Sequence, residues 1–215
     1  GMNGLLRISA GAGIPLQRLV NISREKGYKG IEGLAGIPGS VGGAVHGNAG
    51  AFGYEIGNVI ESVTLIGRDC AVSAFKRGEL NFGYRTSDIP DGSIILGADI
   101  RLEKDDAVAV AERIRNFHQE KLKKQPISEW SAGCVFKNPA GAHAGRLIEE
   151  ALCKGMRRGD IEVSSLHANF FVNKGNGNAS DFLALMDEVK DKVFRLFGIE
   201  LEPEIRIIGR GESCS

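Results

Sequence analysis

The chain has 215 residues, 42% of them hydrophobic, and its 27 acidic and 27 basic side chains cancel to a formal net charge of zero. That length can bury one large core or two modest ones, and with neither sign of charge concentrated it excludes the broad basic surface that nucleic acid or anionic lipid requires. No apolar run approaches the roughly 20 residues that span a bilayer, and no charged-then-apolar leader opens the chain, so a cytoplasmic protein without membrane or nucleic-acid partners is expected.

Leu5-Leu6-Arg7-Ile8-Ser9-Ala10 alternates like a strand within a sheet. Gly11-Ala12-Gly13 turns the chain, Pro15 suits a first helical turn, and Leu16, Leu19 and Val20 keep helical spacing until Gly27. From Gly27 to Gly53, ten of twenty-seven residues are glycine, but the repeat is brief, bulky residues interrupt it and Pro38 alone falls short of the proline a collagen repeat requires. Strands are predicted over 59–66 and 93–102, with a loop over 81–89. A helix follows over 105–123, with Val110, Ala111, Ile114 and Phe117 on one face. A second organisation begins near Lys124: a strand around 134–137, a helix over 142–152, a strand over 168–173 and a helix over 180–197. Asn178 or Ser180 caps that last helix, which buries Phe182, Leu185, Met186, Val189 and Val193. A final strand is predicted over 201–209. Strands and helices that interleave without a regular βαβ repeat make this an α+β protein.

Glycines at this density let backbone approach a flat or anionic ligand, and successive amides can form a phosphate nest; the same spacing also fits tight turns in a β-rich lobe. Arg85, between Tyr84 and Thr86, reads either as a surface side chain packed on a ring or as a fork for a carboxylate. Taken alone, Cys134 reads as a small buried apolar residue and Glu204 as a solvent-facing carboxylate on a strand. Lys124 could compensate a helix dipole, and His167 could simply be packed. Cys70, Cys134, Cys153 and Cys214 form no CxxC pair and have no histidine at zinc spacing, so free thiols and no metal site are expected.

Read together, four segments resemble the UDP-N-acetylenolpyruvoylglucosamine reductase family, over nearly the whole chain and in its shorter branch. They are Gly36-Ile37-Pro38-Gly39-Ser40-Val41-Gly42-Gly43-Ala44 continuing to Asn48-Ala49-Gly50-Ala51-Phe52-Gly53, then Phe82-Gly83-Tyr84-Arg85-Thr86-Ser87, Ser131-Ala132-Gly133-Cys134-Val135-Phe136-Lys137-Asn138-Pro139, and Leu201-Glu202-Pro203-Glu204-Ile205-Arg206-Ile207-Ile208-Gly209. The resemblance implies that Gly39, Ser40, Gly42, Gly43, Asn48, Gly50 and Ala51 contact FAD. It also implies that Arg85 holds the substrate carboxylate, that Glu204 helps to spread the enolate charge, and that residue 134 protonates the substrate carbon. The family commonly has serine there; a thiol is the stronger acid. Asn138, Lys124 and His167 would serve the sugar-nucleotide.

The implied architecture is a second FAD-binding lobe of the vanillyl-alcohol-oxidase-like type over 4–103, completed by 200–210, a connecting helix over 104–123 and an α+β substrate-binding domain over 124–199. The implied reaction is FAD- and NADPH-dependent reduction of UDP-N-acetylglucosamine enolpyruvate in peptidoglycan synthesis. The family's N-terminal lobe, with its GGGSN-like loop, has no counterpart in this sequence. FAD is therefore expected to bind weakly or not at all unless that lobe is supplied, and a flavin-free relative that only binds sugar-nucleotides or serves as an interaction domain is the alternative.

Overall fold

Alternation does make Leu5–Gly11 a strand, β1, and it pairs antiparallel with β9 (Ile94–Lys104) from Leu5↔Glu103 to Gly11↔Gly97. The computed structural model describes residues 4–209, and the chain divides into two units, Gly1–Lys121 and Leu122–Ser215. In the first unit β1 leads to α1 (Leu16–Lys26), which buries Leu16, Leu19 and Val20 and ends at Gly27 in the left-handed conformation, as its sequence predicts. Then come β2 (Tyr28–Lys29), α2 (Val41–His46), the short pair β3 (Gly50–Ala51) and β4 (Tyr54–Glu55), β5 (Ile60–Ile66) and β6 (Val72–Lys76). The pair β7 (Phe82–Gly83) and β8 (Thr86–Ser87) precedes β9, and α3 (Ala107–Lys124) follows it.

The main sheet runs β1-β9-β5-β6, with β2 added at the end of β9. Ala98, Ile100 and Leu102 alternate inward from the central strand β9 into the first core. Strand β6 was not expected, being an edge strand whose side chains are mostly exposed and carry no inward stripe. Helix α3, expected as a connector, buries Val110 and Ile114 in the first core and so belongs largely to that unit.

In the second unit, β10 (Trp130–Cys134), α4 (Ala144–Glu150), β11 (Arg157–Arg158), β12 (Ile161–Val163), β13 (Phe170–Asn173) and α5 (Ala179–Phe197) form a sheet ordered β10-β13-β12-β11 with helices packed against it. Asn178 caps α5, its side chain accepting from the Asp181 amide at 2.9 Å, and Leu185, Met186, Val189 and Val193 enter the core.

Two expectations need correction. Segment 201–209 is not a strand of the first sheet. Among the described residues it makes one antiparallel bridge, Phe136↔Pro203, and Leu201 sits in the second core. Pro203 has no amide to extend a ladder. The strand expected over 134–137 instead ends at Cys134, after a bulge between Ser131 and Cys134. No disulfide joins Cys70, Cys134 and Cys153; Cys214 lies outside the described residues. No described helix is long and apolar enough to cross a membrane.

One local strain is testable. Leu152 follows α4 with φ 56° and is 82% exposed, while the Cys153 amide closes the turn on the Ile148 carbonyl at 3.1 Å. This is the helix-ending position that glycine normally fills. Leu152→Gly is expected to raise stability by about 1 kcal/mol, the cost of a left-handed L-residue, seen as a higher urea midpoint. An unchanged midpoint would mean that the strain is absent.

Candidate active site

The glycine-rich segment folds as a turn, then α2. Ser40 caps that helix, its Oγ accepting from the Gly43 amide at 3.3 Å. The Val41 amide donates to the Ile14 carbonyl and the Gly42 amide to the Ala12 carbonyl, both at 2.8 Å. These three amides are thus spent inside the protein, and the phosphate nest allowed by the glycine spacing is not built from them.

The glycines then separate by role. A Cβ at Gly42 would lie 2.9 Å from that of Ala12, and one at Gly50 would lie 2.7 Å from the Tyr54 carbonyl oxygen, so both are packing positions. At Gly39 a Cβ would meet nothing within 4 Å, and at Gly43 only Ser40 Oγ at 3.7 Å. Gly39 has φ 117°, a conformation that L side chains rarely adopt. Gly39 and Gly43 therefore form the open strip a planar ring could lie against. Ala51 ends β3, whose turn to β4 carries Phe52 stacked on Phe117 of α3 at 4.6 Å.

Asn48, expected at the cofactor, is 0% exposed. Its amide nitrogen donates to Glu55 Oε2 and to the Gly83 carbonyl, both at 2.9 Å, and its oxygen accepts from the Gly57 amide at 3.1 Å. The side chain is fully used within the fold, which removes it from direct contact with a ligand.

Arg85 occupies the turn between β7 and β8. It has φ 56°, lies against the Tyr84 ring at 5.3 Å and donates from Nη1 to the Gly50 carbonyl at 3.2 Å. The arginine is thereby tied to the glycine-rich segment. Lys121, which no motif singles out, is 4% exposed and donates to the Gly33 and Ala35 carbonyls at 3.1 and 2.5 Å.

In the second unit, Cys134, Asn138 and His167 line one cavity of about 310 Å³, together with His143, Arg146 and Glu149. Beyond the bulge at Cys134, the next residues are held from both sides. The Val135 amide donates to the Asn169 carbonyl, and the Val135 carbonyl accepts from the Glu204 amide, both at 2.8 Å. Glu204 is thus placed across a bridge from the residue next to Cys134.

Asn169, 3% exposed, pairs its side-chain amide with both backbone groups of Phe136, at 2.9 and 2.8 Å. Sequence reasoning singled out His167 of the His167-Ala168-Asn169 motif and passed over Asn169. His167 accepts at Nδ1 from the Asn169 amide at 3.2 Å and packs edge-on to Phe170. Burial holds it below the ordinary histidine range, so it is a neutral imidazole with its proton on Nε2, a donor. Asn138 Oδ1 accepts from the Ala144 amide at 3.0 Å and so satisfies the first amide of α4, whose N-cap residue is His143. Lys124 ends α3 and is exposed.

Residues 125–208 match the family model of the UDP-N-acetylenolpyruvoylglucosamine reductase C-terminal domain, and residues 3–72 match an FAD binding domain. Curated UDP-N-acetylenolpyruvoylglucosamine reductases are similar to the chain. That of Syntrophus aciditrophicus is 38% identical across 96% of this chain and 66% of its own length. Those of Limosilactobacillus fermentum and Pelobacter propionicus are 39% and 44% identical, each across 94% of this chain and 68% of its own length. The crystal structure of the Thermus caldophilus reductase is similar at TM-score 0.85 and 39% identity, covering 93% of this chain and 71% of that one. The chain thus spans about two thirds of the length of the relatives it matches, and with an α+β fold joining an FAD-binding domain to the reductase C-terminal domain, it belongs to the UDP-N-acetylenolpyruvoylglucosamine reductase family.

Proposed function

We propose that this chain carries the substrate-handling part of a cytoplasmic reductase that converts UDP-N-acetylglucosamine enolpyruvate to UDP-N-acetylmuramate for peptidoglycan. Gly1–Lys121 would serve as the flavin-side lobe and Leu122–Ser215 as the substrate-side lobe. The observation that carries this reading is the pair of clusters in the two units: Arg85 tied to the glycine-rich segment in the first, and Cys134, Asn138 and His167 around one cavity in the second. FAD, reduced by NADPH, would supply the hydride that no side chain here can provide. Gly39 and Gly43 fit it as an open strip, with Ser40 and Ala51 beside them.

The chain's own residues handle charge and the proton. Arg85 binds the enolpyruvyl carboxylate in a fork and stabilises the negative charge that develops as the double bond is reduced. Glu204 shares a proton with that carboxylate, so that the developing charge is spread. Cys134 then gives its thiol proton to the inner carbon, leaving a thiolate that is reprotonated from water. Asn138 and His167 contact the sugar-nucleotide, His167 as a neutral donor, and Lys124 meets a phosphate.

Binding to the chain tests the substrate class without any cofactor. The enolpyruvyl ether should bind more tightly than UDP-N-acetylglucosamine, which lacks the carboxylate. Arg85→Lys should remove about 10- to 100-fold of that preference, since a charged hydrogen bond contributes roughly 1.5–3 kcal/mol. Equal calorimetric affinities for the two ligands in the parent would sink the reading. Flavin retention is a separate matter. Because the Val41, Gly42 and Gly43 amides are already spent, the purified chain alone is expected to show little visible flavin absorption, in keeping with a phosphate cradle supplied by another lobe.

A further inference from the structure

We infer that Asn48 is a positioning residue for Arg85, lacing the arginine hairpin to the glycine-rich segment so that the segment, and not the hairpin itself, sets where the guanidinium points. The inference rests on the reading of Arg85 as the carboxylate fork.

The hairpin cannot hold its own shape. It has two residue pairs, Phe82↔Ser87 and Gly83↔Thr86, and an isolated two-stranded ribbon is marginal in water even when much longer. Its turn also places Arg85 at φ 56°, a left-handed conformation unfavourable for arginine, which persists only where surrounding structure enforces it.

Three tethers supply that enforcement, and they meet the glycine-rich segment at alternate residues. Ser87 Oγ donates to the His46 carbonyl at 2.7 Å, Asn48 Nδ2 donates to the Gly83 carbonyl at 2.9 Å, and Arg85 Nη1 donates to the Gly50 carbonyl at 3.2 Å. Asn48 is the middle tether, and its side chain is fully buried whereas Ser87 and Arg85 are partly exposed. Its remaining N–H goes to Glu55 and its oxygen takes the Gly57 amide, so one side chain fixes the hairpin, β4 and the turn after β4 together. That turn presses on the hairpin in return. A Cβ at Gly57 would lie 2.7 Å from the Phe82 ring, and Arg77 covers the ring at 4.9 Å while donating to the Gly57 carbonyl at 2.8 Å.

The donor count makes asparagine specific. Aspartate would keep the acceptor for Gly57, lose both donors and set a second carboxylate beside Glu55. Glycine would keep the left-handed backbone at φ 41° without strain and remove only the side-chain bonds.

Hydrogen exchange by mass spectrometry on the whole chain tests this. In Asn48→Gly, amides of 82–87 should exchange at least about tenfold faster, while those of β1 and β9 keep their parent rates. Ser87→Ala, which removes an outer tether, should have a smaller effect confined to the same peptide. Asn48→Gly should also reduce affinity for the enolpyruvyl ether several-fold and leave that for UDP-N-acetylglucosamine unchanged, a carboxylate-specific loss that general loosening would not produce. Unchanged hairpin exchange would overturn the inference, and so would faster exchange across β1 and β9, which would make Asn48 a residue of the fold alone. If the parent shows no preference for the carboxylate ligand, the assignment of Arg85 is what fails, and hairpin exchange still decides the tether.

Discussion

With Cys134 as the proton donor of the proposed reaction, Cys134→Ala is expected to slow the substrate half of that cycle by about 10²–10⁴-fold, the usual loss when a positioned general acid is removed, and to leave consumption of NADPH in the other half unchanged. The asymmetry arises because only the first of these needs a proton delivered to carbon. Cys134→Ser should keep substantial turnover, since the family commonly has a hydroxyl at this position. The geometry favours a positioned group over a packed one. The bulge between Ser131 and Cys134 turns the end of β10, and Asn169 and the Glu204 segment then hold the following residues from either side. Cys134 is partly exposed and lines a cavity shared with a neutral histidine, whereas Cys153 is fully buried in the second core. The measurement is a pair of single-turnover experiments on a protein of the full length of the relatives, of which this chain spans about two thirds. An alanine variant that consumes substrate as fast as the parent would show that Cys134 only fills space.

What could be read from the sequence divides along physical lines. Helix α1 was legible because Pro15 and Gly27 punctuate it and Leu16, Leu19 and Val20 mark its buried face; α5 was legible because Asn178 caps a long apolar stripe. Helix α2 was not, since Val41-Gly42-Gly43-Ala44 has poor helix formers and no stripe, and it exists because neighbouring carbonyls of Ala12 and Ile14 take its first amides. The segment 201–209 misled through its alternation: Glu204 and Ile205 look like strand residues, yet Pro203 limits the pairing to one bridge. The chemical roles proposed for Arg85, Cys134 and Glu204 come from family motifs. The roles of Asn48 and Asn169 were hidden, because each side chain bonds to a segment more than thirty residues away, Gly83 for the one and Phe136 for the other, and a local pattern carries no trace of it.

Lys121 is the extreme case of this hidden kind, because helical periodicity puts a basic helix end in water and the fold buries it. Among the described residues no ion pair with a carboxylate is recorded for it; two backbone carbonyls and the Phe52 ring at 5.6 Å surround the ammonium. Burial, and secondarily the charge of Arg85, lower its pKa from 10.5 to about 8. Between those values the unfolded chain binds more protons than the folded one, so stability should rise with pH from about 8 to 10.5. Below that window both states are protonated and the full cost of the buried charge is present. The difference corresponds to on the order of 3 kcal/mol. Lys121→Met should abolish this rise, though it also leaves the Gly33 and Ala35 carbonyls unpaired and so adds a destabilisation that does not vary with pH. Denaturant unfolding of parent and variant at intervals from pH 7 to 10.5 separates the two contributions, because tyrosines and other titrating groups common to both proteins cancel in the difference. Parallel stability curves would mean that Lys121 titrates as an exposed lysine does, and that its ammonium is not held among these carbonyls in solution.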